Sequence, residues 1–392
     1  MGHRTRRAGA LALAVVMLAG TALVGCGSNN TEEPEANAAV EGVEVKVGFA
    51  APLTGDNAVY GQGMKRAVEL AFKEANMSEE VLAAGYEFVL RAEDDQGDPK
   101  QAVNVANLLA GDSDVIGVIG HFNSGCTIPA SPVYEEAGMA MVTVSSNPQI
   151  TAQGFDVVNR IVARDDAQGS FAAGLVYEDL GYTRVAVIDD STPYGQGLAD
   201  EFVKTFEAIG GELVAREAIQ TREVDFTALV TRIRSLEPDA VYYAGAHTEG
   251  GLISKQMTEG DLDVPLIGGD IIFSDEYITI AGAANAEGDM ATILGLPLDQ
   301  QARGQDFRAA YEAEYGVGPE AYDSYAYDAA AIFVQAVLAS APTRADVVPA
   351  VRGIVYDGVT GTTQFDENGD TLNQAISAYR VTGGSWEQVV VE

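Results

Sequence analysis

The sequence predicts an α/β fold built as two doubly wound parallel-sheet lobes. Three observations carry this. β-branched runs alternate with helical patterns from Val43 onward. The alternation occurs twice in succession, with short connections of the kind that cover both faces of a parallel sheet. Each set opens on a strand followed by the same four residues at a helix, Tyr60-Gly61-Gln62-Gly63 and Tyr194-Gly195-Gln196-Gly197. One such match is weak, but two at matching places argue for two similar lobes.

The first set has strands at Val43–Ala50, Glu87–Arg91, Val115–Gly120 and Met139–Val144, with helices starting near Gly61, Lys100 and Ser124. The second has strands at Arg184–Asp189, Glu212–Ala218, Ala240–Ala244 and Leu266–Gly268, with helices starting near Gly195, Phe226 and Glu249. The pattern then changes. A strand at Asp289–Leu294 leads into helices Gln305–Tyr315, Asp323–Ala339 and Arg344–Arg352, followed by strands Gly361–Phe365, Ala375–Val381 and Gln388–Val391. Glycines at the repeated motif are expected to let the chain turn sharply into a helix. Neither copy is a dinucleotide fingerprint, because Arg66 and Asp200 stand where a third glycine would be. The Asp366–Asp370 run mimics part of a calcium loop, but Ser377 stands where the closing acid belongs, so Asn368-Gly369 reads as a hairpin turn.

The chain has 392 residues, 47% hydrophobic and 21% charged, enough for large cores and too apolar for disorder. Its first seven residues carry three arginines, and residues 8–24 are apolar or small. This reads as a secretory signal over residues 1–25. It ends Leu23-Val24-Gly25-Cys26, which resembles the bacterial lipobox and makes Cys26 the expected lipidation site. Residues 26–42 read as a flexible tether, and nothing later spans a bilayer. The folded body is therefore expected outside the cytoplasm, lipid-anchored to a bacterial membrane. The net charge is −35, and −38 once Arg4, Arg6 and Arg7 leave with the signal. So negative a surface repels phosphate backbones and argues against nucleic acid. Two cysteines and three histidines leave no zinc, iron-sulfur or haem pattern, and neither a metal nor a cofactor is expected. No G-x-S-x-G occurs, and no nucleophile-base pair is evident, which argues against a hydrolase.

Ligands of parallel sheets bind outside the carboxyl ends of the strands. The loops there offer Ser124 at a helix start, where an ordinary N-cap serine and an anion contact are both open readings. They also offer Ser145-Ser146-Asn147, and Asp270 at a strand tip, able to pair with an ammonium group.

At these loops the chain resembles the extracytoplasmic solute-binding proteins for branched-chain and other amino acids. The run from Glu93 to Ala102 carries the resemblance, with Gly120–Ser124, Tyr194–Gly197 and Val241–Gly245. It implies a type I periplasmic-binding fold whose lobes, 43–162 with 293–365 and 163–292 with 366–392, are joined by three crossings near Ile161–Arg164, Asp289–Leu294 and Gln364–Asp370. It implies a monomeric binder, not an enzyme, that captures an amino acid, branched-chain or aliphatic first, and delivers it to an ABC permease. Ser124 matches the residue for the ligand carboxylate, Ser145, Ser146 and Asn147 the loop for carboxylate and ammonium, and Asp270 the partner of the ammonium. Tyr60 and Tyr194 match aromatic positions on opposing lobes. Ala246, beside His247, replaces an aromatic and reshapes one wall, which opens aromatic amino acids, small amides or urea as alternatives. A sensor of the same fold is the other functional reading. Gly97 and Asn123 stand where better-known members have a disulfide, so Cys126 is expected to be a free, buried thiol.

Overall fold

The computed structural model describes residues 42–390. The expected export signal, lipidated cysteine and most of the tether lie outside those residues. The first sheet contains β1 (Val43–Ala51), β2 (Tyr86–Asp94), β3 (Val115–Gly120), β4 (Ala140–Thr143) and β5 (Val158–Arg160). All are parallel, in the order β2-β1-β3-β4-β5. The second sheet begins with β6 (Arg184–Asp189), β7 (Glu212–Ala218), β8 (Ala240–Ala244), β9 (Leu266–Gly268) and β10 (Met290–Leu294). Its parallel strands run β7-β6-β8-β9-β10, so the second lobe repeats the first strand for strand. The hairpin of β11 (Val355–Gly358) and β12 (Gly361–Gln364) stands apart from both sheets. Antiparallel β13 (Ile376–Thr382) and β14 (Ser385–Val389) extend the second sheet beyond β10.

Sequence alone explains most of this. β3 reads Val-Ile-Gly-Val-Ile-Gly and β8 Ala-Val-Tyr-Tyr-Ala, and every residue of both is buried. Such continuous apolar runs suit central strands covered on both faces. Two helices enter in the same way. Asp98 caps Pro99–Gly111 by accepting from the Lys100 and Gln101 amides at 2.9 Å. Thr192 caps Pro193–Ala208 by accepting from the Gly195 amide at 3.0 Å. In both, proline at the first helical position costs no hydrogen bond.

The repeated glycines have a different cause from the expected turn. They lie inside helices that begin earlier, at Ala58 and Pro193. A β-carbon on Gly61 would lie 2.1 Å from the Pro52 carbonyl oxygen, and one on Gly195 would lie 2.2 Å from Asp190 Oδ1. Glycine there lets each helix press against the loop leaving its own first strand.

β5 and β11 are strands the sequence reading lacks. Met290–Leu294 is a strand of the second sheet, so the chain leaves that lobe only after Leu294 and not across Asp289–Leu294. The Asn368-Gly369 turn closes a single antiparallel bridge, Phe365 to Thr371, rather than a full hairpin. Asp366 accepts from the Asn368 and Asp370 amides at 2.8 and 2.9 Å, which makes the run a turn. No described group of three or more His, Cys, Asp or Glu side chains is arranged to hold a metal. No single described helix is long and apolar enough to cross a membrane.

One buried ion pair ties the crossings together. Arg160, fully buried at the end of β5, donates through Nε and Nη2 to Asp370 Oδ1 at 2.8 and 2.6 Å. Its remaining donors reach the Thr151 hydroxyl and the Asn147 carbonyl, both at 2.7 Å. Arg164 closes on the other Asp370 oxygen at 3.0 Å. Arg160 thus binds the first crossing to the third and fixes the loop that follows β4. Breaking such a pair strands a buried charge. Arg160→Ala is therefore expected to cost about 3–5 kcal/mol in urea unfolding; a loss below about 1 kcal/mol would show that the crossings hold without it.

Candidate functional site

In each lobe the strand order reverses between the first strand and its neighbours, β1/β3 and β6/β8, where doubly wound sheets take their ligands. Both switch points open onto one cavity of about 310 Å³. The first lobe contributes Asn57 after β1 and Asn123, Ser124 and Gly125 after β3. The second contributes Asp190, Thr192, Pro193 and Tyr194 after β6, Ala246 after β8 and Ile271 after β9.

The lobes touch around this cavity. The Tyr60 hydroxyl donates to the Ile271 carbonyl at 2.8 Å, and Asn147 Nδ2 donates to the Pro193 carbonyl at 2.7 Å. At the mouth, Arg222 Nε meets Asp56 Oδ2 at 3.0 Å. The cleft is therefore closed.

Of the expected residues, Ser124, Tyr194 and Ala246 line this cavity, and Tyr60, Ser145, Ser146, Asn147 and Asp270 do not. Ser124 is the first residue of its helix, and Asn123 occupies the cap position. The Ser124 hydroxyl lines the cavity and accepts weakly from the Asn147 amide at 3.4 Å. The Ser145 hydroxyl is turned inward, donating to the Phe122 and His121 carbonyls at 2.8 and 3.1 Å and meeting Thr127 Oγ1. Asn147 is a strut: its carbonyl, both amide atoms and its backbone N–H are all engaged. Ser146 is the loop's remaining hydroxyl, and it is buried. Ala246 lines the cavity. His247 is fully buried, its ring edge-on to Tyr60 at 5.7 Å, with Nε2 3.4 Å from Glu276. Burial depresses its pKa, against the pull of Glu276. Gly97 and Asn123 do face one another, 3.2 Å separating a β-carbon on Gly97 from Asn123 Oδ1. Cys126 is a buried free thiol whose pKa is pushed up by burial.

Asp270 sits just behind the cavity. Its Oδ1 accepts from the Tyr194 hydroxyl at 2.8 Å, and Oδ2 accepts from the Tyr322 hydroxyl. Tyr194 in turn lines the cavity beside Ser124, so its hydroxyl links the carboxylate to the cavity wall. Burial pushes Asp270 up to about 6, against the hydrogen bond from Tyr194 and the neighbouring Gln168 side chain. Tyr322 was not read from the sequence. It stands at the start of helix Asp323–Ala339, which packs on the first-lobe helix Ala58–Met77, and no local motif marks it. Asp56 and Arg222 were also missed, since partners 166 residues apart leave no spacing signal.

A profile of the periplasmic binding protein family matches residues 44–385. The chain belongs to this family. It is 39% identical over 350 residues to Leu/Ile/Val-binding protein homolog 1 of Brucella abortus, covering 88% of this chain and 91% of that one. Among solved structures it is similar to the leucine-binding protein LivK of Thermotoga maritima, with a TM-score of 0.82 at 28% identity over 88% of this chain and 98% of that one. The branched-chain amino acid binding protein LivJ of Streptococcus pneumoniae, in complex with isoleucine, gives 0.80 at 25% identity over 88% and 99%. The type I periplasmic-binding fold is thus the fold of this chain.

A ligand ammonium pairs with ionised Asp270 only. Because burial raises this carboxyl, the empty closed site takes up a proton as pH falls through about 6. The affinity for an amino acid is therefore expected to fall below that pH by up to about tenfold per unit, measured by calorimetry from pH 5 to 7.5. A flat profile would place the ammonium elsewhere.

Proposed function

We propose that this periplasmic binding protein captures an amino acid between its lobes, without chemistry, and delivers it to an ABC permease. The observation that carries the reading is the pairing of opposite ends in one closed crevice. Ser124 on the first lobe offers a hydroxyl at a helix N-terminus, suited to a carboxylate. Asp270 on the second offers a buried carboxylate without a cation partner, suited to an ammonium. An aliphatic ligand agrees with the relatives named for leucine, isoleucine and valine.

In this reading the ligand lands on Ser124 and the Ser145–Asn147 loop, with Tyr60 packing on it from the same lobe. The second lobe then closes with Tyr194 and Asp270. Closure is selected by differential affinity for the closed state. Charges in a water-poor cleft attract more strongly than at a surface. Ala246 leaves one wall open, which admits aromatic amino acids or small amides as the alternative ligands. Lipidation at Cys26 after removal of residues 1–25 would hold the body, as a monomer, at the membrane that carries its permease.

Asp270→Ala should leave the fold intact and weaken amino-acid binding by about 2–5 kcal/mol, the effect of removing one partner of a buried charge pair. The check is a thermal-shift screen of the twenty amino acids, urea and short amides, followed by calorimetry on the wild type and the variant. Unchanged affinity in the variant would remove Asp270 from the site. Stabilisation by urea or amides alone would replace the amino acid as ligand.

A further inference from the structure

His247 is the first residue of helix His247–Glu259, one step beyond Ala246 at the cavity wall. It does not line the cavity itself. Its ring is fully buried, yet neither ring nitrogen has a hydrogen-bond partner. The first lobe covers it. The Tyr60 ring stands edge-on at 5.7 Å, and Asp56 is within reach of its charge. From its own lobe Glu276 Oε2 lies 3.4 Å from Nε2. Glu276 belongs to helix Asp275–Ala281, which is pressed against the histidine's helix: a β-carbon on Gly251 would lie 2.9 Å from the Tyr277 carbonyl oxygen. Glu276 therefore stays beside His247 whatever the lobes do, whereas Tyr60 and Asp56 are there only when the cleft is shut.

The closed cleft gives a charged imidazole little support. Asp56 is already matched by Arg222 at 3.0 Å, and the Tyr60 hydroxyl is committed to the Ile271 carbonyl. Glu320 faces Tyr60 and Glu276 from the first lobe. On the histidine's own helix, Glu249 accepts from the Arg222 amide. Only Glu276 approaches the ring, and its side chain is 56% exposed, so water screens it. The ring also sits at the positive end of its helix dipole. An imidazolium would carry two N–H donors into a buried place where neither has an acceptor at hydrogen-bonding geometry. Burial accordingly holds the ring below the ordinary histidine pKa, against the pull of Glu276 and Asp56.

We propose that His247 is a proton-operated latch between the lobes: neutral, it is covered by Tyr60 and lets the cleft shut, and protonated, it holds the lobes apart and frees the ligand. This goes beyond the amino-acid reading and does not depend on which molecule fills the cleft. Opening withdraws Tyr60 and Asp56 and returns water to the ring, which then titrates as an ordinary histidine beside Glu276. The closed form binds the proton more weakly. Closure is therefore fully available above the open form's pKa, and it is lost as pH falls through that value toward the lower one of the closed form. Because the ring does not line the cavity, its proton acts on the lobes and not on the ligand. That separates His247 from Asp270, which the amino-acid reading sets against the ligand. A binding protein outside the cytoplasm meets the pH of its surroundings, and the latch makes capture follow it.

The described residues hold two histidines, His121 and His247, so imidazole NMR follows each, and His247→Phe identifies the second signal. The test titrates the mature, ligand-free protein from about pH 5 to 8 in two forms. Both carry Gln96→Cys and Thr221→Cys, at exposed positions that border the cleft from opposite lobes. In one form a bismaleimide joins the pair and holds the cleft shut. Cys126 is buried and stays out of the reaction, and the expected lipidation occupies Cys26. The joined form should bind the His247 proton at least tenfold more weakly than the unjoined one. Equal titration in the two forms overturns the latch. A second arm is calorimetry, at about pH 5 and 7.5, with the ligand that the thermal-shift screen finds. The wild type should lose about tenfold more affinity on acidification than His247→Phe, whose remaining loss belongs to Asp270. A variant that loses as much as the wild type overturns the latch and leaves the amino-acid reading intact. If no amino acid binds, that reading fails, and the joined and unjoined titrations still decide the latch. Should His247→Phe not fold, His247→Gln serves both arms.

Discussion

Two carboxylates are buried where the lobes meet, and the protein supplies neither with a cation. Asp270 is held by two tyrosine hydroxyls, and Asp165 by no donor at hydrogen-bonding geometry. Desolvation raises both. In a chain of net charge −35 such a place is disfavoured twice, by burial and by its own field. It becomes favourable when a molecule brings a positive group into it. A closed protein with an unmet need for a cation is a protein tuned to close on one.

The rest of the architecture serves that geometry. The second lobe repeats the first, strand for strand, so each brings a switch point to the same crevice. One switch point offers a helix N-terminus and a serine, the other a carboxylate behind a tyrosine. Arg160 and Asp370 join the crossings and pin the Ser145–Asn147 loop from behind. That loop also meets the opposing lobe, through Asn147 and Pro193.

Much of the fold was legible because its signals are local and repeated. Val115–Gly120 and Ala240–Ala244 announce themselves as buried strands, and the doubled Tyr-Gly-Gln-Gly announces two similar halves. The meaning of its glycines was not legible, since a close approach between a helix and a loop is a fact of packing. Ser124 and Asp270 could be named as candidates because each stands in a single loop at the end of a strand. Ser145 and Ser146 are adjacent and alike in sequence, and only the path of the loop after β4 decides which hydroxyl turns inward. Tyr322 and Asp165 belong to segments far from Asp270 along the chain, and they meet it only once both lobes and all crossings are built. A carboxylate that matters because nothing pairs with it leaves no trace in spacing.

The most direct measurement is a crystal structure of the protein grown with L-isoleucine. The account predicts one molecule between the lobes, its carboxylate at Ser124 and its nitrogen within hydrogen-bonding distance of Asp270. An isoleucine bound in the reverse orientation, or with its nitrogen away from that carboxylate, would contradict it.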